Sequence, residues 1–82
     1  MNNYIQMHIK MNKISEFVKQ KRKQLGFTQE ELAEKAGVAL TVIRKIEQNK
    51  DNLSLSKVNQ VLLLFGHVLG PIKKIADATS ND

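Results

Sequence analysis

The sequence predicts an all-α domain of four to five short helices, followed by a short C-terminal β-strand. Apolar residues recur at three- and four-residue spacing through four segments between residues 13 and 65, each bounded by a capping or turn residue. Two of those segments are separated only by a short turn containing Gly37. Strand-like patterning is confined to the two ends of the chain, outside this block.

With 82 residues the chain is one domain, and a domain of this size buries only about 60–65% of the surface that its unfolded chain exposes. Its core is small, and a second subunit would enlarge it. The absence of Cys excludes disulfides and thiolate metal sites, and two isolated His residues cannot assemble a zinc set, so no metal or cofactor is expected. No apolar run approaches the ~18 residues that cross a bilayer, and MNNYIQMHIKMNK lacks the long apolar stretch of a secretory signal. The expectation is a soluble cytoplasmic protein with no membrane association.

The formal net charge of +5 favours a polyanionic partner. Residues 1–13 carry two Lys and no acid, residues 14–50 carry eight basic against five acidic residues, and residues 51–82 carry three of each. The excess therefore lies on the front of the chain, which leaves the back free for another task.

Residues 1–12 alternate, with Ile5, Met7, Ile9 and Met11 on one side and Tyr4, Gln6, His8 and Lys10 on the other. This is either a half-buried strand or a frayed arm, and Met7 and Met11 are alternative starts. A first helix begins with Asn12 as its cap, sets Ile14, Phe17, Val18 and Leu25 on one face, and ends at Gly26. Thr28 and Glu31 then form a capping box, with Phe27 and Leu32 as its hydrophobic staple, so a second helix runs from Gln29 to Ala36. Gly37 turns the chain, and a third helix from Ala39 to Gln48 buries Val42, Ile43 and Ile46. Two short helices joined in this way make a helix-turn-helix.

Residues 49–52 read as a loop, stopped by a left-handed Asn49. Ser54 caps a fourth helix whose inward stripe is Leu55, Val58, Leu62 and Phe65. The run Val61 to Phe65 is apolar on nearly every face, which marks an interface, and Leu63 and Leu64 are assigned to dimerisation. Residues 67–75 read as an edge strand that tolerates Pro71 and adds Val68, Leu69 and Ile72 to the dimer interface. Its partner is either the N-terminal arm or the same segment of another subunit. The organisation is thus an arm (1–12), a helical domain (13–66), a dimerisation strand (67–75) and a disordered tail (76–82).

The stretch TQEELAEKAGVALTVIRKIEQNK, Thr28 to Lys50, resembles the helix-turn-helix of the Xre, Cro and phage-repressor superfamily. Gln29 opens the motif, Ala33 is the small residue at the helix crossing, Gly37 is the turn, and Ile43 and Ile46 are core positions of the recognition helix. The resemblance extends over residues 13–65 and implies a compact Cro/phage-repressor-like domain that binds double-stranded operator DNA with its third helix in the major groove. Arg44 is then placed to read guanine, with Lys45 next and Thr41 offering a hydroxyl or a methyl. Gln29 would bond a phosphate and brace a recognition-helix side chain, and Asn49 and Lys50 would contact phosphate. Lys19, Lys21, Arg22 and Lys23 are either further phosphate contacts or a solvated face.

Three positions depart from the pattern. Ala39 replaces the usual Ser or Thr cap at a cost of about 1 kcal/mol. Asn49 replaces Gly. Leu40 replaces a polar base reader and can meet only a thymine methyl. From Leu53, LSLSKVNQVLLLFGHVLGPIKK resembles the ending of HipB-like antitoxin regulators, which implies a homodimer that represses its own operon and binds a HipA-type kinase toxin. A stand-alone Xre-type repressor and a protein-interaction module with secondary DNA binding are the alternatives. No catalytic residue is assigned: His8 and His67 stand alone, no Ser/His/Asp group or carboxylate pair is present, and the glycines read as punctuation, so no enzyme is expected.

Overall fold

Residues 13–73 are described by a computed structural model of the chain. They form four helices, α1 (Ile14–Gln24), α2 (Gln29–Ala36), α3 (Leu40–Glu47) and α4 (Leu55–Leu63). The expected arm (1–12), the tail (76–82) and the last two positions of the expected strand lie outside the described residues.

The helix starts differ in chemistry. Thr28 accepts from the Glu31 N–H at 3.0 Å while the Glu31 carboxylate accepts from the Thr28 N–H at 2.8 Å, so the capping box is complete. Ser54 Oγ accepts a longer bond from the Lys57 N–H, 3.4 Å. At the head of α1 the cap position is Lys13, extended at φ −98° and ψ 131°, with no side-chain cap bond; the expected cap, Asn12, lies outside the described residues. Ala39 holds cap geometry at φ −68° and ψ 151° but has no side-chain acceptor to give. The helix after it is one residue shorter at each end than the Ala39–Gln48 read from the sequence.

The helix ends are alike. The N–H groups of Phe27, Val38, Lys50 and His67 reach back five residues, to the carbonyls of Arg22, Ala33, Lys45 and Leu62, at 2.9–3.0 Å. The residue before each has positive φ: Gly26, Gly37 and Gly66 at 74° and Asn49 at 60°. This is the Schellman closure, which satisfies carbonyls that a helix end leaves free. At Gly37 a Cβ would also crowd Gln60 Nε2, at 3.1 Å. That same amide donates to the Ala36 and Gly37 carbonyls at 3.0 Å each, tying α4 to the turn between α2 and α3.

The core is Val18 from α1, Leu32 and Ala33 from α2, Ile43 and Ile46 from α3, and Val58, Val61 and Leu62 from α4. Helix α3 packs against all three others. Phe17, Phe27, Val42, Leu53, Phe65 and Leu69 close the margins as half-buried residues. Among the described residues no helix is long and apolar enough to cross a membrane.

Four expectations are corrected. Leu25 is 54% exposed because it follows the last turn of α1, beyond the stripe that faces the core. Leu55 is 72% exposed because it is the first residue of α4, ahead of the turn where that helix meets the core; Val61 is buried in its stead. No fifth helix forms among the described residues. The strand expected over 67–75 is also missing: residues 67–73 carry no ladder, and the Leu69 N–H bonds the Asn59 side chain at 2.6 Å instead. A strand needs a neighbouring backbone, and the described chain offers none.

The bare cap at α3 is correctable. Ala39→Ser should raise stability by roughly 0.5–1 kcal/mol, visible as a thermal midpoint about 2–8 °C higher for a chain of this size. An unchanged midpoint would show that the α3 start is satisfied in another way.

Candidate nucleic-acid interface

The apolar stripe of α3 fixes which of its residues face out. With Ile43 and Ile46 fully buried and Leu40 and Val42 half-buried, Thr41, Arg44, Lys45 and Gln48 are left exposed. These follow the i, i+3, i+4, i+7 spacing of one helix face. The Arg44 and Lys45 side chains make no hydrogen bond or ion pair among the described residues, and their donors are free for an external acceptor. Gln48 was missed by the sequence reading, although the same spacing carried on from Thr41 reaches it. An amide there adds both a donor and an acceptor to the cationic face.

Behind this face lies a polar cluster. Glu47, on the inner side of α3, is 8% exposed as a residue. Arg22 of α1 meets it with two bonds, Nε to Oε2 at 2.7 Å and a second guanidinium nitrogen to Oε1 at 3.0 Å. The remaining guanidinium nitrogen donates to the Phe27 carbonyl at 2.9 Å. Gln29 of α2 gives its amide N–H to Glu47 Oε1 at 3.0 Å. One carboxylate therefore pins three elements, and no buried side-chain polar atom among the described residues lacks a partner. The hydrogen bond to Glu47 holds the Arg22 guanidinium above its ordinary pKa, against the opposing effect of burial. Because the folded value is raised, that contribution to stability is complete below the ordinary arginine range and is lost only at higher pH.

The placement corrects the basic cluster of α1. Arg22 is turned inward to Glu47 and is not part of a solvated or phosphate-facing surface. Lys21 lies 5.7 Å over the Phe17 ring, while Lys23 is exposed and Lys19 half-buried. Glu47 carried a readable signal: it falls four residues after Ile43 and next to Ile46, on the buried stripe, where an acid requires a cation. Its partner, 25 positions earlier, could not be named from spacing.

Of the other expected contacts, Ala39, Asn49 and Lys50 are exposed at the two ends of α3, whereas Leu40 packs partly into the core. Gln29 is half-buried, and the bond to Glu47 uses one of its two amide hydrogens. Beyond the core-facing part of α4, Leu63 and Leu64 are 61% and 41% exposed, and Val68 and Ile72 are exposed as well; Leu69 packs against the core.

A family model described as Helix-turn-helix matches residues 18–68, from the middle of α1 past the end of α4. No curated protein and no solved structure matches the chain.

Removing one partner of the polar cluster should be far worse than removing both. Glu47→Ala leaves a guanidinium at 14% side-chain exposure without its anion, and about 3 kcal/mol of stability should be lost in urea titration. The pair Arg22→Met with Glu47→Leu should recover most of that loss. Equal losses in the single and double variants would contradict the pairing.

Proposed function

This chain belongs to the Xre-like helix-turn-helix family of DNA-binding transcription regulators, and from that premise we propose a homodimeric, sequence-specific repressor that acts in the cytoplasm. The observation that carries the proposal is the outward face of α3, whose Arg44 and Lys45 have no partner among the described residues. Arg44 reads a guanine edge with its planar fork, Lys45 takes a second base or a phosphate, and Thr41 offers a hydroxyl or methyl. Gln48 extends the same face. Gln29, Ala39, Asn49 and Lys50 line the flanks, where backbone and side-chain donors meet phosphate; Leu40 contributes the outer part of an apolar side chain to a thymine methyl.

Dimerisation is assigned to the apolar surface after the core-facing part of α4, centred on Leu63 and Leu64 and continued by Val68, Leu69 and Ile72. Two large leucines exposed side by side at the end of a helix favour a covered surface. In a symmetric dimer the two α3 helices meet half-sites about one helical turn apart, ~34 Å. The resemblance of residues 53–74 to HipB-like regulators supports a finer assignment, the antitoxin of a HipA-type kinase that represses its own operon. A protein-interaction module is the second reading. It draws on the half-buried Leu40 and the bare Ala39, which leave the leading end of α3 poor in polar readers.

Fluorescence anisotropy on DNA from upstream of the chain's own gene and on a scrambled duplex tests the regulator. Preference for the upstream DNA should reach ~10³ and survive added salt. Arg44→Ala with Lys45→Ala should remove that preference without unfolding the protein; retained preference would move base reading off these residues. A kinase encoded beside the gene should co-purify with the protein, and its failure to bind favours a stand-alone repressor.

Leu63→Glu with Leu64→Glu should weaken self-association at least tenfold, about 1.4 kcal/mol, in sedimentation. Monomer stability should shift by only about 0.5 kcal/mol, because neither side chain is buried. An unaltered dimer would place the interface elsewhere.

A further inference from the structure

Beside α1 runs an apolar groove of about 390 Å³, lined by Ile14, Phe17, Leu62, Val68, Leu69 and Ile72. No residue of α3 lines it, so it is a different surface from the one that carries Arg44 and Lys45. Val68 and Ile72 are 62% and 82% exposed. Small-molecule sites enclose most of their ligand, whereas a wall this open suits a protein segment laid along it. The His67 ring packs on Phe17 at 4.6 Å, and its Nδ1–H donates to the Phe65 carbonyl at 2.7 Å, which fixes the aromatic part of the lining.

The edge of the groove is cationic. Lys13 lines it, the Lys21 ammonium lies 5.7 Å over the Phe17 ring, and the exposed Lys73 follows Ile72. None of the three is in an ion pair among the described residues. No acidic residue lines the groove; Glu16, the one acid of α1, is next to Phe17 in sequence and so about 100° round the helix from it. An apolar lining with uncompensated positive charge at its edge calls for a partner that is apolar in the middle and negative on its flanks.

The chain itself does not supply that combination. A symmetric dimer through the groove would set this patch against its own copy and bring lysines to lysines, because residues 52–73 contain no Asp or Glu. Residues 1–12 hold Lys10 and no acid, and Asp77 and Asp82 stand in a stretch, residues 76–82, with no apolar residue larger than Ala. Leu63 and Leu64 lie outside the lining and remain the centre of the self-contact proposed above, while Val68 and Ile72 border both surfaces. A helix brings its own backbone hydrogen bonds and asks of a groove only apolar contact and charge.

We propose that this groove docks an acidic amphipathic helix of another protein, whose apolar stripe fills it and whose flanking carboxylates meet Lys13, Lys21 and Lys73. The docking does not rest on the DNA-binding reading.

Fluorescence anisotropy with the full chain tests it. The probe is a labelled peptide of about 14 residues with leucines at i, i+3, i+4 and i+7 and glutamates beside them, compared with the same peptide carrying lysines for the glutamates. The Glu peptide should bind at least about tenfold more tightly than the Lys peptide. Val68→Asp with Ile72→Asp should abolish that binding with circular dichroism unchanged, since both side chains are exposed. Lys13→Glu with Lys73→Glu should reverse the preference toward the Lys peptide. Arg44→Ala with Lys45→Ala should leave it as in the parent, so docking and operator reading fail separately. Equal binding of the two peptides, binding retained by the Val68 and Ile72 variant, a preference that the charge variant does not reverse, or binding lost with Arg44 and Lys45 would each overturn the proposal. No binding of the Glu peptide at ~1 mM overturns it as well, and leaves the groove to the chain's own residues or to a second copy.

Discussion

The carboxylate of Glu47 is the constraint on which the arrangement of this domain turns. It lies on the inner side of α3, where an unpaired charge would be strongly destabilising, and the chain meets it from two directions. Arg22 supplies a forked donor from α1, and Gln29 supplies an amide from α2. An apolar contact at this place would allow α3 to slide or roll within its groove. A two-point guanidinium bond with a third donor sets its angle to the rest of the domain. The face that carries Arg44 and Lys45 is aimed by bonds formed on the opposite side of the same helix.

Gln60 does similar work at the turn. It holds the Ala36 and Gly37 carbonyls from α4, so the element that follows the recognition helix also supports the corner that precedes it. One helical turn further on stand Leu63, the last residue of α4, and Leu64, its cap. The exposed apolar surface there and the corner of the helix-turn-helix thus rest on the same short helix.

The parts of the fold legible in the sequence are those written in local chemistry. Thr28 and Glu31 make their capping box within one turn, and Gly26, Gly37 and Asn49 each close a helix within six residues. The errors arise where a pattern outruns its element. Leu25 and Leu55 fit the helical period but sit where the helix has no neighbour to bury them. The Arg22–Glu47 pair joins positions far apart in the chain, so its geometry appears only after the helices have packed. The strand at 67–75 failed for another reason, since an extended run is defined by what pairs with it. The outward side of α3 was readable at Thr41, Arg44 and Lys45 because the buried side fixed the phase, and Gln48 was one step further in the same phase.

The four identical helix closures have a consequence for recognition. Each corner is a left-handed residue locked by backbone bonds on either side, so these corners have little conformational freedom to lose. Much of the unfavourable entropy of association comes from ordering flexible segments and side chains at a contact surface. Here the backbone has been ordered in advance by folding. On the proposed reading, what would remain to be immobilised on a duplex is a few long side chains, chiefly those of Arg44, Lys45 and Gln48, all carried by one two-turn helix and its cap.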